Sequence, residues 1–248
     1  MKFLIILGAL AALVGCASFS ENKEAADLHL KIGQGHLTAG NYPQALAEMI
    51  TAERLDPSDP MIQNYLGLAY AARERLDLAE VHLRKAVSLK SDYSEGRNNL
   101  GQVLSQRGKY PEAAAEIQKV IDDLTYPNPD RALTNMGIIQ FKSNHFVEAK
   151  KFLLRAIELQ RENCLALSYY GRCFYELQDY KKSAEALDRA VGFCQRIQYD
   201  EPHYYSALSY YQLGMSQKAE IRLEELIKLY PDGKYVEKAK SALETIRK

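Results

Sequence analysis

Glycine recurs at Gly33, Gly67, Gly101, Gly137 and Gly171, at intervals of 34, 34, 36 and 34 residues. Each sits in a similar stretch: HLKIGQGH (29–36), QNYLGLAY (63–70), RNNLGQVL (97–104), LTNMGIIQ (133–140) and LSYYGRCF (167–174). A repeat of this length commits a chain to stacking copies of one supersecondary unit, because a single copy cannot bury its own apolar face. Twelve residues beyond each glycine stand Ala45, Ala79, Ala113, Ala149 and Ser183, and seven further on stand Ala52, Ala86, Val120, Ala156 and Ala190. Small residues at three fixed places in each copy point to two helices that cross closely, where a larger side chain would drive them apart.

A 34-residue helix-turn-helix period resembles the tetratricopeptide repeat. A sixth, looser copy carries Ala207 in the glycine place, then Tyr210, Ala219, Leu223 and Leu226, and closes at Pro231. Gly40, Gly108 and Gly214, with Asn144 in the same place, fall between helix A and helix B, where a left-handed residue ends a helix. Pro43 and Pro111 suit the first turn of helix B, where the missing N–H costs nothing, and Pro57 and Pro231 follow its end in copies one and six. The last stretch places Tyr235, Val236, Ala239, Ala242, Leu243 and Ile246 on one helical stripe, as a terminal cap would. The expected fold is all-α: a tetratricopeptide-repeat superhelix of about six helix pairs with a C-terminal capping helix. Its expected layout is repeats at 26–59, 60–93, 94–129, 130–163, 164–199 and 200–231, within an array over 25–231, and a cap at 232–248.

Lys2 precedes an apolar run from Phe3 to Val14 that is too short to span a bilayer, which takes about 20 residues, and has the layout of a secretory signal. Leu13-Val14-Gly15-Cys16 matches the lipobox of bacterial lipoproteins. The resemblance implies a signal peptide at 1–15, cleavage before Cys16, acylation of Cys16 (a palmitate-type modification) and a lipidated leader at 16–24. With Ala17 and no Asp after the cysteine, the Gram-negative sorting rule implies an outer-membrane anchor facing the periplasm. Several acyl chains hold a protein stably where a single chain is marginal.

Formal charge is balanced, 32 basic against 32 acidic residues, so nothing electrostatic points to nucleic acid. His29, His36, His82, His145 and His203 form no H-E-x-x-H or clustered Cys/His pattern, so no metal is expected. The absence of nucleophile-elbow, Walker and Rossmann patterns points away from an enzyme, a cofactor or a small-molecule substrate. Of the three later cysteines, Cys173 occupies a place for a small buried residue and reads as a packed thiol. Cys164 and Cys194 fall at the same end of one antiparallel helix pair and are the favoured partners if a disulfide forms in an oxidising compartment.

Inward-facing positions of helix A are where such arrays take up partners. Projected onto this chain they give Leu30, Gln34, Leu37, Met61, Asn64, Leu68, Asn98, Gln102, Phe141 and Tyr175, with Arg172, Tyr204 and Tyr211 among the others. For Leu30, Met61 and Leu68, interior packing is as good an account as a wall for a ligand. Tyr169, Tyr170 and Tyr210 read as core.

The lipobox, the short leader, the six repeats and the segment NNLGQVLSQRGKYPEAAAEIQKVIDDLTYPNPDRALTNMG (98–137), with its two-residue insertion around Tyr126 to Pro129, resemble the type IV pilus biogenesis and stability lipoproteins. These are the tetratricopeptide-repeat pilotins of PilF, PilW and Tgl type. The chain departs from them at Ser105 and Ile139, near which relatives often carry cysteines. The resemblance implies a non-catalytic protein that binds secretin subunits in its groove, around Leu30, Leu37, Asn64 and Leu68, and promotes their outer-membrane localisation and multimerisation. A periplasmic scaffold docking cell-wall enzymes or proteases is the competing reading.

Overall fold

The computed structural model describes residues 21–247, so Cys16 and the 1–15 signal lie outside the described residues. Helix α1 covers 21–38, so residues 21–24 of the expected leader are already helical. There follow α2 (Tyr42–Leu55), α3 (Pro60–Ala72), α4 (Leu76–Leu89), α5 (Ser94–Gln106), α6 (Tyr110–Asp122) and α7 (Pro129–Lys142). The remainder are α8 (Phe146–Leu159), α9 (Cys164–Glu176), α10 (Tyr180–Cys194) with a 3-10 turn at Gln195–Ile197, α11 (Glu201–Gln212), α12 (Ser216–Leu229) and α13 (Val236–Ile246). No strand occurs among the described residues, and none of the described helices is long and apolar enough to cross a membrane. The chain divides into two compact units, one ending at Glu116 and the other beginning at Ile117 within α6.

One turn is built six times, between each odd-numbered helix and the even-numbered helix after it. The residue opening helix B donates its N–H to a carbonyl five residues back: Asn41 to His36 (2.9 Å), Arg75 to Tyr70 (3.0 Å), Lys109 to Leu104 (2.9 Å), His145 to Gln140 (2.9 Å), Asp179 to Phe174 (2.9 Å) and Met215 to Tyr210 (2.9 Å). This Schellman closure requires the preceding residue to be left-handed. Gly40, Gly108 and Gly214 take φ of 76°, 76° and 72°, and Asn144 takes 62°. Glu74 (59°) and Gln178 (61°) occupy the same place in the second and fifth copies, although neither residue type announces a turn.

The repeat glycines mark where helix A meets helix B. A Cβ on Gly67, Gly137 or Gly171 would come within 2.5 Å of Cγ of Leu83, Leu153 or Leu187, each a fully buried side chain sixteen residues later. On Gly33 it would meet Cγ of Met49 at 2.9 Å. The alanines twelve residues on are buried too, and the carbonyls of Ala45, Ala79 and Ala149 lie 3.2–3.4 Å from the same point. Glycine thus leaves room for a leucine or methionine knob while the two backbones approach. Gly101 is likewise buried on α5.

In the first unit Ala26, Leu30, Ala45, Met49, Ile62 and Leu66 form one core cluster, with Leu37 against it. Buried Glu80 on α4 accepts from Arg84 (2.8 Å) and Lys109 (2.9 and 3.0 Å) and pairs with Arg107, joining α4 to the turn after α5. In the second unit Leu133, Leu153, Leu167 and all three described cysteines share a core. Cys164 and Cys194 are joined by a disulfide with Cα atoms 5.0 Å apart, clamping the ends of α9 and α10. Cys173 is a free buried thiol, its pKa pushed up to about 12 by burial. The stripe on α13 packs as its spacing suggests, Tyr235, Val236 and Ala239 being buried against Ala207, Leu223 and Leu226. Asp200 Oδ2 accepts the Tyr235 N–H at 2.7 Å, fixing the cap to the start of α11.

Candidate functional site

The expected groove residues divide sharply by exposure. Within the first unit Leu30, Asn64 and Asn98 are interior residues, a correction to their placement on a ligand-facing wall. The cause is contact between successive A helices: α3 lies against α5, and the fifth position of each repeat falls in that seam. There Asn99 Nδ2 donates to Asn64 Oδ1 at 2.9 Å, a buried pair that satisfies polar groups rather than offering them. Leu37 is half-buried against the core, Gln34 and Leu68 are half-buried, and only Met61 and Gln102 of this set are well exposed. The structure therefore does not bring the N-terminal set together as an open apolar groove.

The second unit carries the more developed surface. Here α7 lies against α9 and α9 against α11, with α13 closing the end. Phe141 is buried, a second correction, but its ring forms the floor of a layered cluster: Arg172 stacks its guanidinium carbon 4.5 Å from the Phe141 centroid, 4.5 Å from Tyr205 and 5.4 Å from Tyr169. Glu201, at the start of α11, pairs with Arg172 Nη1 and also accepts the Tyr199 hydroxyl. Burial alone would weaken the Arg172 charge, but Glu201 and the surrounding tyrosines hold its pKa above the ordinary value. Phe141 meets Tyr169 edge-on at 5.2 Å, and Tyr175 meets Tyr205 at 5.5 Å. Tyr204 then stands 5.4 Å from Tyr205 and 5.1 Å from Tyr235. The result is a nearly continuous wall of aromatic rings from α7 to the cap, buried at its ends in Phe141 and Tyr235 and half-buried at Tyr169, Tyr175, Tyr204 and Tyr205 between them.

Of the expected residues, Phe141 and Tyr175 belong to this wall. Arg172 and Tyr204 belong to it as well, through the same repeat projection. Tyr235 is buried, as its place on the cap stripe implies, Tyr169 packs against the core as expected but keeps a half-buried edge, and Tyr205 was not singled out, because tyrosine at a helix-packing position reads as core. The signal for the half-buried rings was composition: 17 tyrosines against 7 phenylalanines, a ratio suited to rings with one wet edge. Tyr170 and Tyr210 fare differently, the first meeting Phe174 edge-on at 4.9 Å and the second bonding Asp188. Among the described residues no group of three or more His, Cys, Asp or Glu is placed to hold a metal ion. His29 meets Glu48 at 2.6 Å, His82 meets Gln63 at 2.9 Å and His145 meets Gln140 at 3.0 Å, while His203 is buried beside Tyr230.

The tetratricopeptide-repeat sequence pattern matches residues 30–94 and 134–197, and further patterns of the same description match 96–123 and 203–233. The chain belongs to the tetratricopeptide-repeat family. This tetratricopeptide-repeat protein is 24% identical over 197 residues to the type IV pilus assembly protein PilF of Pseudomonas aeruginosa, covering 76% of this chain and 77% of PilF. It is also 24% identical over 221 residues to DnaJ homolog subfamily C member 3 of Bos taurus, but spans only 43% of that protein. Among solved structures, Pseudomonas aeruginosa PilF superposes with a TM-score of 0.74 at 21% identity, covering 90% of this chain and 99% of that one. PilW, described as a widely conserved type IV pilus biogenesis factor, superposes at 0.77 and 22% identity, covering 86% and 97%. These likenesses establish an all-helical tetratricopeptide-repeat fold, whose general use is protein–protein interaction.

Proposed function

We propose that this protein is a non-catalytic polypeptide-binding factor of type IV pilus biogenesis, working as a pilotin. In this reading Cys16 carries the lipid that holds it at the periplasmic side of the outer membrane, and the repeat array binds secretin subunits and promotes their multimerisation there. The observation that supports it most is the set of half-buried rings on α9 and α11, Tyr169, Tyr175, Tyr204 and Tyr205: rings with an exposed edge, set on rigid helices, suit an extended polypeptide better than a small substrate. The similarity to PilF over about three quarters of both chains gives the pilus context. Tethering to one membrane raises the effective concentration of the two partners, so modest affinity is enough.

Deletion of the gene tests the reading. Detergent-resistant secretin multimers and surface pili are expected to disappear, and normal multimers in the deletion strain would overturn it. Cys16→Ser should leave a folded but mislocalised protein, with multimers stranded at the inner membrane. Unchanged fractionation of that variant would remove the anchor from the account.

A further inference from the structure

The aromatic wall has a charge asymmetry. Lys234 and Lys238 lie 5.9 and 5.1 Å from the Tyr235 ring centroid. Neither has a carboxylate partner among the described residues. Lys142, which ends α7 next to Phe141, is half-buried and also lacks one, and burial together with the charge of Lys234 lowers its pKa. The carboxylates nearby are engaged elsewhere: Glu201 holds Arg172 and Tyr199, Asp200 accepts the Tyr235 N–H at 2.7 Å, and Glu237 takes Lys240 at 2.7 Å. Glu176 acts on Tyr175 at the far edge of the wall. Beside Tyr204 and Lys238 the surface sinks into an open depression between α11 and α13, lined also by Glu237, Ser241, Ala242 and Thr245, with the Glu237 carboxylate turned to Lys240.

Two lysines over the Tyr235 ring and a third close enough to Lys234 to feel its charge, none with a carboxylate partner among the described residues, form a surface that is incomplete electrostatically. We propose that this face takes an acidic polypeptide segment, with Asp or Glu carboxylates meeting Lys142, Lys234 and Lys238 and an interleaved apolar or aromatic side chain entering the depression beside Tyr204. The proposal rests on the reading of the chain as a polypeptide binder and names the chemistry of what it binds. Charge complementarity selects the partner: a basic segment would meet three lysines, and a neutral one would leave them unpaired beside desolvated rings. Rings alone would accept any apolar peptide; the lysines provide the discrimination.

The test is selection from a displayed library of random 12-residue peptides on the full chain held in detergent. The strongest binders are expected to carry net negative charge and at least one aromatic or large aliphatic residue. Synthesised with a label, the best of them should bind about tenfold more weakly to the Lys142→Gln/Lys234→Gln/Lys238→Gln variant, as about three surface charge contacts would give. Its affinity should also fall as salt rises from 50 to 500 mM. Lys234 and Lys238 are exposed and Lys142 is half-buried, so unchanged far-UV circular dichroism will show that the variant is folded, and Tyr204→Ala should weaken the same peptide independently. Neutral or basic winners, no enrichment, or binding indifferent to the triple substitution would each overturn the proposal. Expressing the triple variant in the deletion strain separates this proposal from the pilus reading. Acidic selection with normal secretin multimers would leave the acidic-segment proposal standing and detach it from secretin. Multimers lost in the deletion strain but fully restored by the variant, with neutral winners, would do the reverse.

Discussion

Gly137→Ala and Gly192→Ala make the same chemical change in the interior of helices of the second unit, and opposite outcomes are expected. Alanine is favoured over glycine in a helix by about 1 kcal/mol, through backbone entropy. A Cβ on Gly192 would meet nothing within 4 Å, so that gain should appear as about 0.5–1 kcal/mol of added stability. A Cβ on Gly137 would lie 2.5 Å from Leu153 Cγ and 2.6 Å from its Cδ2, more than an ångström inside the optimal carbon–carbon separation of about 3.5–4.0 Å. Leu153 is fully buried, so it can move aside only by displacing its core neighbours. Overpacking costs about 1–3 kcal/mol, and this separation argues for the upper half. After the propensity gain, Gly137→Ala should be destabilised by about 1–2 kcal/mol. Adding Leu153→Ala should remove the clash, so the double variant should be more stable than the two single changes predict when summed. Urea unfolding followed by circular dichroism at fixed pH measures all four proteins. Ala207, which faces Leu223 in the sixth copy, shows that a helix pair can be built around the extra methyl. If Gly137→Ala proved as stable as Gly192→Ala, the fourth pair would have that freedom too, and the close-approach account of the repeat glycines would fail.

Gly33→Ala should be tolerated better than Gly137→Ala, because its neighbour is the flexible Met49 at 2.9 Å rather than a leucine branch point; the same urea midpoints decide it. Glu74→Gly and Gln178→Gly should each stabilise the chain by about 0.5–1 kcal/mol by relieving a left-handed backbone, whereas Glu74→Ala, which keeps the Cβ, should give none of that gain. His203 is buried, and burial, with a smaller contribution from Arg222, lowers its pKa from 6.5 to about 4. The unfolded chain therefore binds the proton first: the contribution of neutral His203 is complete above about pH 6.5 and falls away toward pH 4, by up to about 3 kcal/mol. His203→Phe should flatten the stability profile across that window, and an unchanged difference between the two proteins from pH 7 to pH 4 would contradict the assignment. Replacing Cys164 and Cys194 by alanine opens a loop of sequence separation 30, for which chain entropy predicts a loss of about 3–4 kcal/mol, read from melts with and without reductant.

Tyrosine is the residue on which reading the sequence went furthest astray. Tyr169 and Tyr205 lie at positions where a ring packs against the neighbouring helix, yet both are only half-buried and carry the Arg172 guanidinium on a face. Whether a ring at such a position closes a core or edges a surface depends on what the next repeat presents, and no local pattern records that. The same limit applied in reverse to Leu30, Asn64 and Asn98. Their repeat positions nominate an open face, but contact between A helices closes over them. Arg172 was visible as an inward-facing residue; its partner Glu201, 29 residues on, was not.

The recurrence of glycine at 34 residues, with alanines at fixed offsets, determined by itself that the chain would form stacked helix pairs, since small residues at a constant spacing have one geometric use. Turn chemistry at Gly40, Gly108, Asn144 and Gly214 likewise follows from φ preferences internal to each residue. Tertiary structure alone decided which ring faces solvent, which asparagine is sealed in a seam and which lysine lacks a counter-charge. Those properties arise from atoms brought together from neighbouring repeats, where burial and electrostatics depend on distance in space rather than on order in the chain.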